Sequence, residues 1–124
     1  AGFIHREEKI ALTQVWANME NEQFQRSKRI FNLQQMEASG LVEYLIQQYN
    51  HPTIILFGSY ARGEDIEKSD IDIVVLTHKH KTLVLEKFEE KMKRKINIHE
   101  ITLKKVSEEF KRNLYNGIML AGSL

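Results

Sequence analysis

Asp70 and Asp72 stand two apart in an otherwise apolar run, Asp70-Ile71-Asp72-Ile73-Val74-Val75-Leu76. On a strand, residues two apart project from one face, so the two carboxylates would sit side by side. Aspartate is disfavoured in strands, a buried carboxylate is costly without a partner, and two of them repel. A divalent cation removes these penalties. Mg²⁺ takes one or two carboxylates and completes its shell with water and substrate phosphate oxygens. A pair of such ions ~4 Å apart stabilises the attacking and leaving oxygens of a phosphoryl transfer. Asp70 and Asp72 are therefore the candidate metal ligands and catalytic residues, with Mg²⁺ or Mn²⁺ as the metal.

The candidate phosphate-binding residues lie upstream, at Gly58, Ser59 and Arg62, together with Ser69. A glycine directly after a strand lets the backbone approach a ligand closely. A helical turn opening at Ser59 would offer free N–H groups to a phosphate, with the Ser59 hydroxyl as a further donor. Arg62 lies one helical turn on. It is placed either to reach phosphates or to pair with Glu64 or Asp65 in the loop. The Ser69 hydroxyl has an alternative role in bonding local backbone before the strand.

These groups need elements to position them. Thr53-Ile54-Ile55-Leu56-Phe57 is short, apolar and β-branched, as a strand covered on both faces is. Ile71 to Leu76 reads the same way, and Lys95 to Ile101 alternates as a third strand. Helical periodicity begins near Asn21, a candidate N-cap, and breaks at Ser39-Gly40. It resumes at Leu41, Val42, Leu45 and Tyr49, and stops at Asn50-His51-Pro52. Leu83 to Lys93 and Leu103 to Leu114 are predicted helices. The pattern implies an α/β (α+β) fold, a small mixed sheet flanked by helices. Residues 1–20 are less regular. As a strand, Ala11 to Ala17 would set Leu12, Gln14 and Trp16 against Thr13 and Val15, with no core face. The segment is read as an N-terminal arm, helical in the overall plan and the stump of an upstream domain, with residues 21–124 as the main domain.

Gly-Ser, then Arg-Gly, then Ser-Asp-x-Asp entering an apolar strand is a specific combination, carried here by Gly58, Ser59, Arg62, Gly63, Ser69, Asp70 and Asp72. In this the chain resembles the DNA polymerase β-like nucleotidyltransferases, above all the minimal nucleotidyltransferases of archaea and bacteria, over roughly Leu41 to Ile101. The resemblance implies a nucleotidyltransferase fold. It also implies transfer of a nucleoside monophosphate, AMP from ATP first among them, from a nucleoside triphosphate (NTP) to an acceptor hydroxyl with two Mg²⁺. The acceptor is a protein hydroxyl, an RNA or a small molecule. Members of that family also act as antitoxin partners of small helical HEPN toxins, or are fused to winged-helix DNA-binding domains. Members of the family as a whole usually carry a third acidic residue on the next strand. Here that position falls on Asn97, which can ligate through its carbonyl oxygen but supplies neither charge nor a base. His99 shares its face and is a candidate base. Glu100 points the other way. Two functions follow: an active transferase, or a weak or silent regulatory module.

Composition narrows the rest. The chain has 124 residues, 42% hydrophobic and 28% charged, enough for one domain with its own core. Eighteen Lys and Arg against 17 Asp and Glu give a net charge of +1, which argues against a polybasic nucleic-acid arm. The absence of cysteine excludes disulfides, a thiol nucleophile and cysteine zinc sites. No apolar run reaches the roughly 18 residues of a membrane span, and the charged start is unlike a secretory signal. A cytoplasmic, non-membrane protein is expected. His78-Lys79-His80-Lys81 reads as a solvated loop, and Lys91 to Lys95 as a solvated basic helix end. Trp16, Phe24 and Phe31 read as core or interface anchors, and a homodimer through the long helix and its Trp-bearing arm is expected.

Overall fold

The computed structural model describes residues 5–123. One long helix, α1 (Arg6–Ser39), leads into a four-stranded sheet built on β1 (Thr53–Phe57), β2 (Ile71–Leu76), β3 (Ile96–Ile101) and β4 (Ile118–Ala121). The strand order is β3-β2-β1-β4. β1 runs antiparallel to β2 and β4, while β2 and β3 are parallel, so the sheet is mixed as expected. The remaining helices are α2 (Leu41–Gln48), α3 (Gly58–Arg62), α4 (Glu86–Met92) and α5 (Glu108–Tyr115).

Gly40 ends α1 in the left-handed region, with φ 81°. The Ser39 hydroxyl donates to Met36 O at 2.7 Å and accepts from Leu41 N at 3.1 Å, which stitches the joint to α2. The apolar stripe of α2 then packs down. Leu41, Val42 and Leu45 are buried with Met36 against Ile54, Leu56, Ile71, Ile73 and Val75 on one face of the sheet. Each such side chain stabilises the fold by roughly 1.5–3 kcal/mol relative to exposure. The opposite face carries a smaller core. Ile55, Val74 and Leu114 are buried there, with Phe57, Ile101 and Phe110 packed around them. Both central strands are covered on both faces, which is why they read as continuous apolar runs.

Several elements differ from expectation. Ala11 to Ala17 is helical, not a strand, and Asn21 caps nothing: α1 runs through both, starting after His5. Residues 6–24 are exposed along their whole length. In so exposed a stretch, local helical propensity decides the conformation. Trp16, Phe24 and Phe31 lie outside the core, at 63%, 70% and 56% exposure. The helix predicted from Leu83 starts only at Glu86, although Leu83 and Leu85 still pack on the core. The helix predicted from Leu103 is a 3₁₀ turn (Leu103–Lys105) followed by α5, with Ser107 as N-cap accepting from Phe110 N at 3.1 Å. β4 was not anticipated. Its four residues are too few to show alternation, and only pairing with β1 makes them a strand.

Candidate functional site

β2 carries Asp72, while Asp70, expected on the same strand, is the residue just before it, because the ladder begins at Ile71. In the parallel register, Asp72 lies beside Asn97 and Val74 beside His99. In the antiparallel register, Asp72 lies beside Phe57, the last residue of β1. Strand alternation puts Asp72, Asn97, His99 and Phe57 on one face, and the structure brings Asp70 to the same place. Asn97 Nδ2 donates to Asp70 Oδ2 and to Asp72 Oδ1, each at 3.0 Å. One amide thus holds both carboxylates. His99 Nε2 lies 3.8 Å from Asp72 Oδ1, with its side chain 47% exposed. Its ring packs edge-on against Phe57, centroids 5.6 Å apart.

Gly58 closes the site from the other side. Its φ is +81°, and a Cβ there would lie 2.9 Å from Asp72 Oδ2. Glycine is required twice, by the backbone angle and by the closeness of the carboxylate. The chain turns from β1 straight into α3, whose first-turn N–H groups have no intrahelical acceptors. A cleft of about 400 Å³ opens beside it, lined by Phe57, Gly58, Arg62, Asn113 and Asn116. The carboxylate pair forms an oxygen-rich cradle that fits a hard divalent cation, and Asn97, whose Nδ2 now faces both carboxylates, would add its carbonyl oxygen by turning the amide over. Among the described residues no group of three His, Cys, Asp or Glu could hold a metal. The donor set is therefore two carboxylates and an amide.

The other candidate residues have local partners. Arg62 Nε lies 3.0 Å from Glu64 Oε2, so it forms the loop ion pair, at the rim of the cleft. The Ser69 hydroxyl accepts from Ile66 N at 2.9 Å and so shapes the turn before Asp70. Glu100 lies on the opposite face, as expected. It accepts from the Tyr49 hydroxyl and Lys81 N, both at 2.8 Å, and His80 Nδ1 lies 2.6 Å away. Burial alone would raise the Glu100 carboxyl. The hydrogen bonds from Lys81, Tyr49 and His80 outweigh this and hold it below its ordinary value. The exposed His78 to Lys81 loop is thus latched to the sheet. Two wider openings, about 470 and 530 Å³, flank that loop at the far end of β2, away from the carboxylates.

Sequence reasoning missed a buried cluster beneath the loop between α3 and β2. Asp65 is 2% exposed and is met by Arg94, Lys28 and Asn32. Arg94 belongs to the basic run predicted to be solvated. Lys93, left-handed at φ 56°, turns the chain after α4, and Arg94 points inward. No local spacing betrays an aspartate whose partners lie about thirty residues away on either side.

Residues 39–121 match the family model of the nucleotidyltransferase domain, and the chain belongs to that family. A 31-residue stretch is 61% identical to a Methanocaldococcus jannaschii protein named as a candidate protein adenylyltransferase. That stretch covers 25% of this chain and 31% of the relative. Domains of this family transfer nucleotides, drawing on a nucleoside triphosphate and a divalent metal. No helix among the described residues is long and apolar enough to cross a membrane.

Proposed function

We propose that the chain binds a nucleoside triphosphate at Gly58 and Ser59, with Asp70 and Asp72 holding Mg²⁺ or Mn²⁺, and transfers the nucleoside monophosphate to an acceptor hydroxyl. The observation that carries this reading is the convergence of both carboxylates on one amide, with Asp72 directly against the Gly58 turn. The bound metal would neutralise phosphate charge and offset carboxylate repulsion. The first turn of α3 and the Ser59 hydroxyl would donate to phosphate oxygens. Arg62, at the cleft rim, would reach the phosphates by exchanging Glu64 for them. The acceptor oxygen attacks the α-phosphorus, the bond between the α-phosphorus and the bridging oxygen breaks, and pyrophosphate leaves. His99, exposed beside Asp72, is the candidate to take the acceptor's proton. AMP is the favoured group, in line with the adenylyltransferase name of the partial relative.

A second reading is favoured by one observation: Asn97 supplies neither charge nor a base at the third position. On this reading the domain binds nucleotide without turning it over and serves as a regulatory, antitoxin-type module. The exposed side chains of α1 would then meet a protein partner, whether a HEPN-type helical protein, a second copy or an upstream winged-helix domain. Titration with Mn²⁺ and ATP, followed by thermal shift, tests the shared part. The parent should be stabilised, and Asp70→Asn and Asp72→Asn, folded, should not respond. Equal stabilisation of both variants would refute the site. Label transfer from α-labelled ATP then separates the readings: transfer supports the enzyme, while binding without transfer supports the regulator.

A further inference from the structure

We infer that Asp65 and Arg94 are positioning residues for nucleotide and metal binding: they clamp the loop between α3 and β2 and so set Asp70 beside Asp72 on the Asn97 amide. This rests on the site proposed above. The Asp65 carboxylate is fully buried and is met by three polar side chains. Arg94 Nη2 lies 2.7 Å from Oδ2, Asn32 Nδ2 donates to Oδ1 at 2.8 Å, and Lys28 Nζ lies 3.5 Å from Oδ1. Lys28 also donates to the Asp65 carbonyl oxygen.

Arg94 uses both of its Nη groups. While Nη2 holds Asp65, Nη1 donates to Ile66 O at 2.7 Å and to Ser69 O at 2.9 Å. Ser69 O belongs to the peptide unit that leads into Asp70, so the guanidinium grips the chain immediately before the metal platform. Its plane also lies over the Tyr60 ring of α3, 5.1 Å from the centroid. Tyr60 is tied in turn to Asn32, its hydroxyl donating to Asn32 O at 3.2 Å and its carbonyl accepting from Asn32 Nδ2 at 3.0 Å. One cation therefore fixes both the helix that begins at Gly58 and the loop that ends at Asp70. A rigid planar fork can meet three acceptors and an aromatic face at once, and an ammonium cannot.

Two consequences follow. Arg94 is spent on this clamp, so it is not a phosphate ligand despite its place in the basic run. The inner half of α1 is part of the site's support, since Lys28 and Asn32 complete the clamp. Gly63 reinforces the tie: a Cβ there would lie 2.5 Å from Gln25 O, so the loop lies directly on α1.

The test uses the whole chain and the variants Arg94→Lys, Asp65→Asn and Lys28→Gln, each measured well below its melting temperature. Mn²⁺·ATP affinity and hydrogen exchange of residues 64–70 without ligand are read in parallel. Arg94→Lys and Asp65→Asn should weaken Mn²⁺·ATP binding by about tenfold or more, as small misplacements of a site do. They should speed exchange in 64–70 while leaving β1 unchanged. Lys28→Gln, at the most exposed of the three positions, should show the same pattern more weakly, and it carries the test if the other two fail to fold. Folded variants that bind as the parent does would overturn the positioning role while leaving the site intact, provided Asp70→Asn has lost binding. If Asp70→Asn binds like the parent, the site itself is wrong and the inference falls with it.

Discussion

The substitution Asn97→Asp tests the platform with almost no change in shape. Asn97 donates to Asp70 and to Asp72, both at 3.0 Å. Hydrogen bonds to charged groups contribute about 1.5–3 kcal/mol each. The Asp72 side chain is 29% exposed, so the lower end applies and the pair is worth about 3 kcal/mol. Asn97→Asp removes both donors and sets a third carboxylate against the first two. For a domain of this size that loss lowers the melting temperature by roughly 10 °C. The sign reverses with metal: the third carboxylate strengthens the cradle, and a ligand at a hundred times its Kd stabilises by about 2.7 kcal/mol. The assay is thermal unfolding in EDTA and across a Mn²⁺ titration, with Asn97→Ala as the control that loses the donors without gaining charge. The expected order in EDTA is parent, then Asn97→Ala, then Asn97→Asp, with the largest Mn²⁺-induced rise in Asn97→Asp. Equal melting of parent and Asn97→Asp in EDTA, or equal Mn²⁺ responses, would refute the bridging amide.

Gly58→Ala forces an L-residue to φ +81° and sets its Cβ against Asp72 Oδ2, so it should cost at least about 1–2 kcal/mol in thermal unfolding. It should also weaken Mn²⁺·ATP binding more than its stability loss explains, because Asp72 must move. Glu100 supplies a pH test. Its carboxyl is held below its ordinary value, so its stabilising contribution is full above the ordinary carboxylate range and is lost as pH falls through the folded value. The melting difference between the parent and Glu100→Gln should therefore be largest at neutral pH and shrink on acidification. A constant difference would show that the Tyr49 and His80 contacts do not depend on the charge.

The two covered strands, the break at Ser39-Gly40 and the nearness of Asp70 to Asp72 could be read from the chain alone, because each follows from neighbours a few residues apart. Alternation put Asn97 and His99 on one side of β3 and Glu100 on the other, and both placements appear in the structure. The starts of α4 and α5 were less legible, since Leu83 and Leu103 begin the apolar pattern ahead of the first α-helical turn. The rest depends on contacts between distant segments. β4 exists because β1 has an open edge for it. Asn97 became a bridge because parallel pairing set it beside Asp72. Asp65, an unremarkable loop acid by its neighbours, became the centre of a buried clamp because Lys28, Asn32 and Arg94 arrive from distant segments. Such contacts have no period and leave no local mark, because the charge balance that makes them tolerable exists only once the chain has folded.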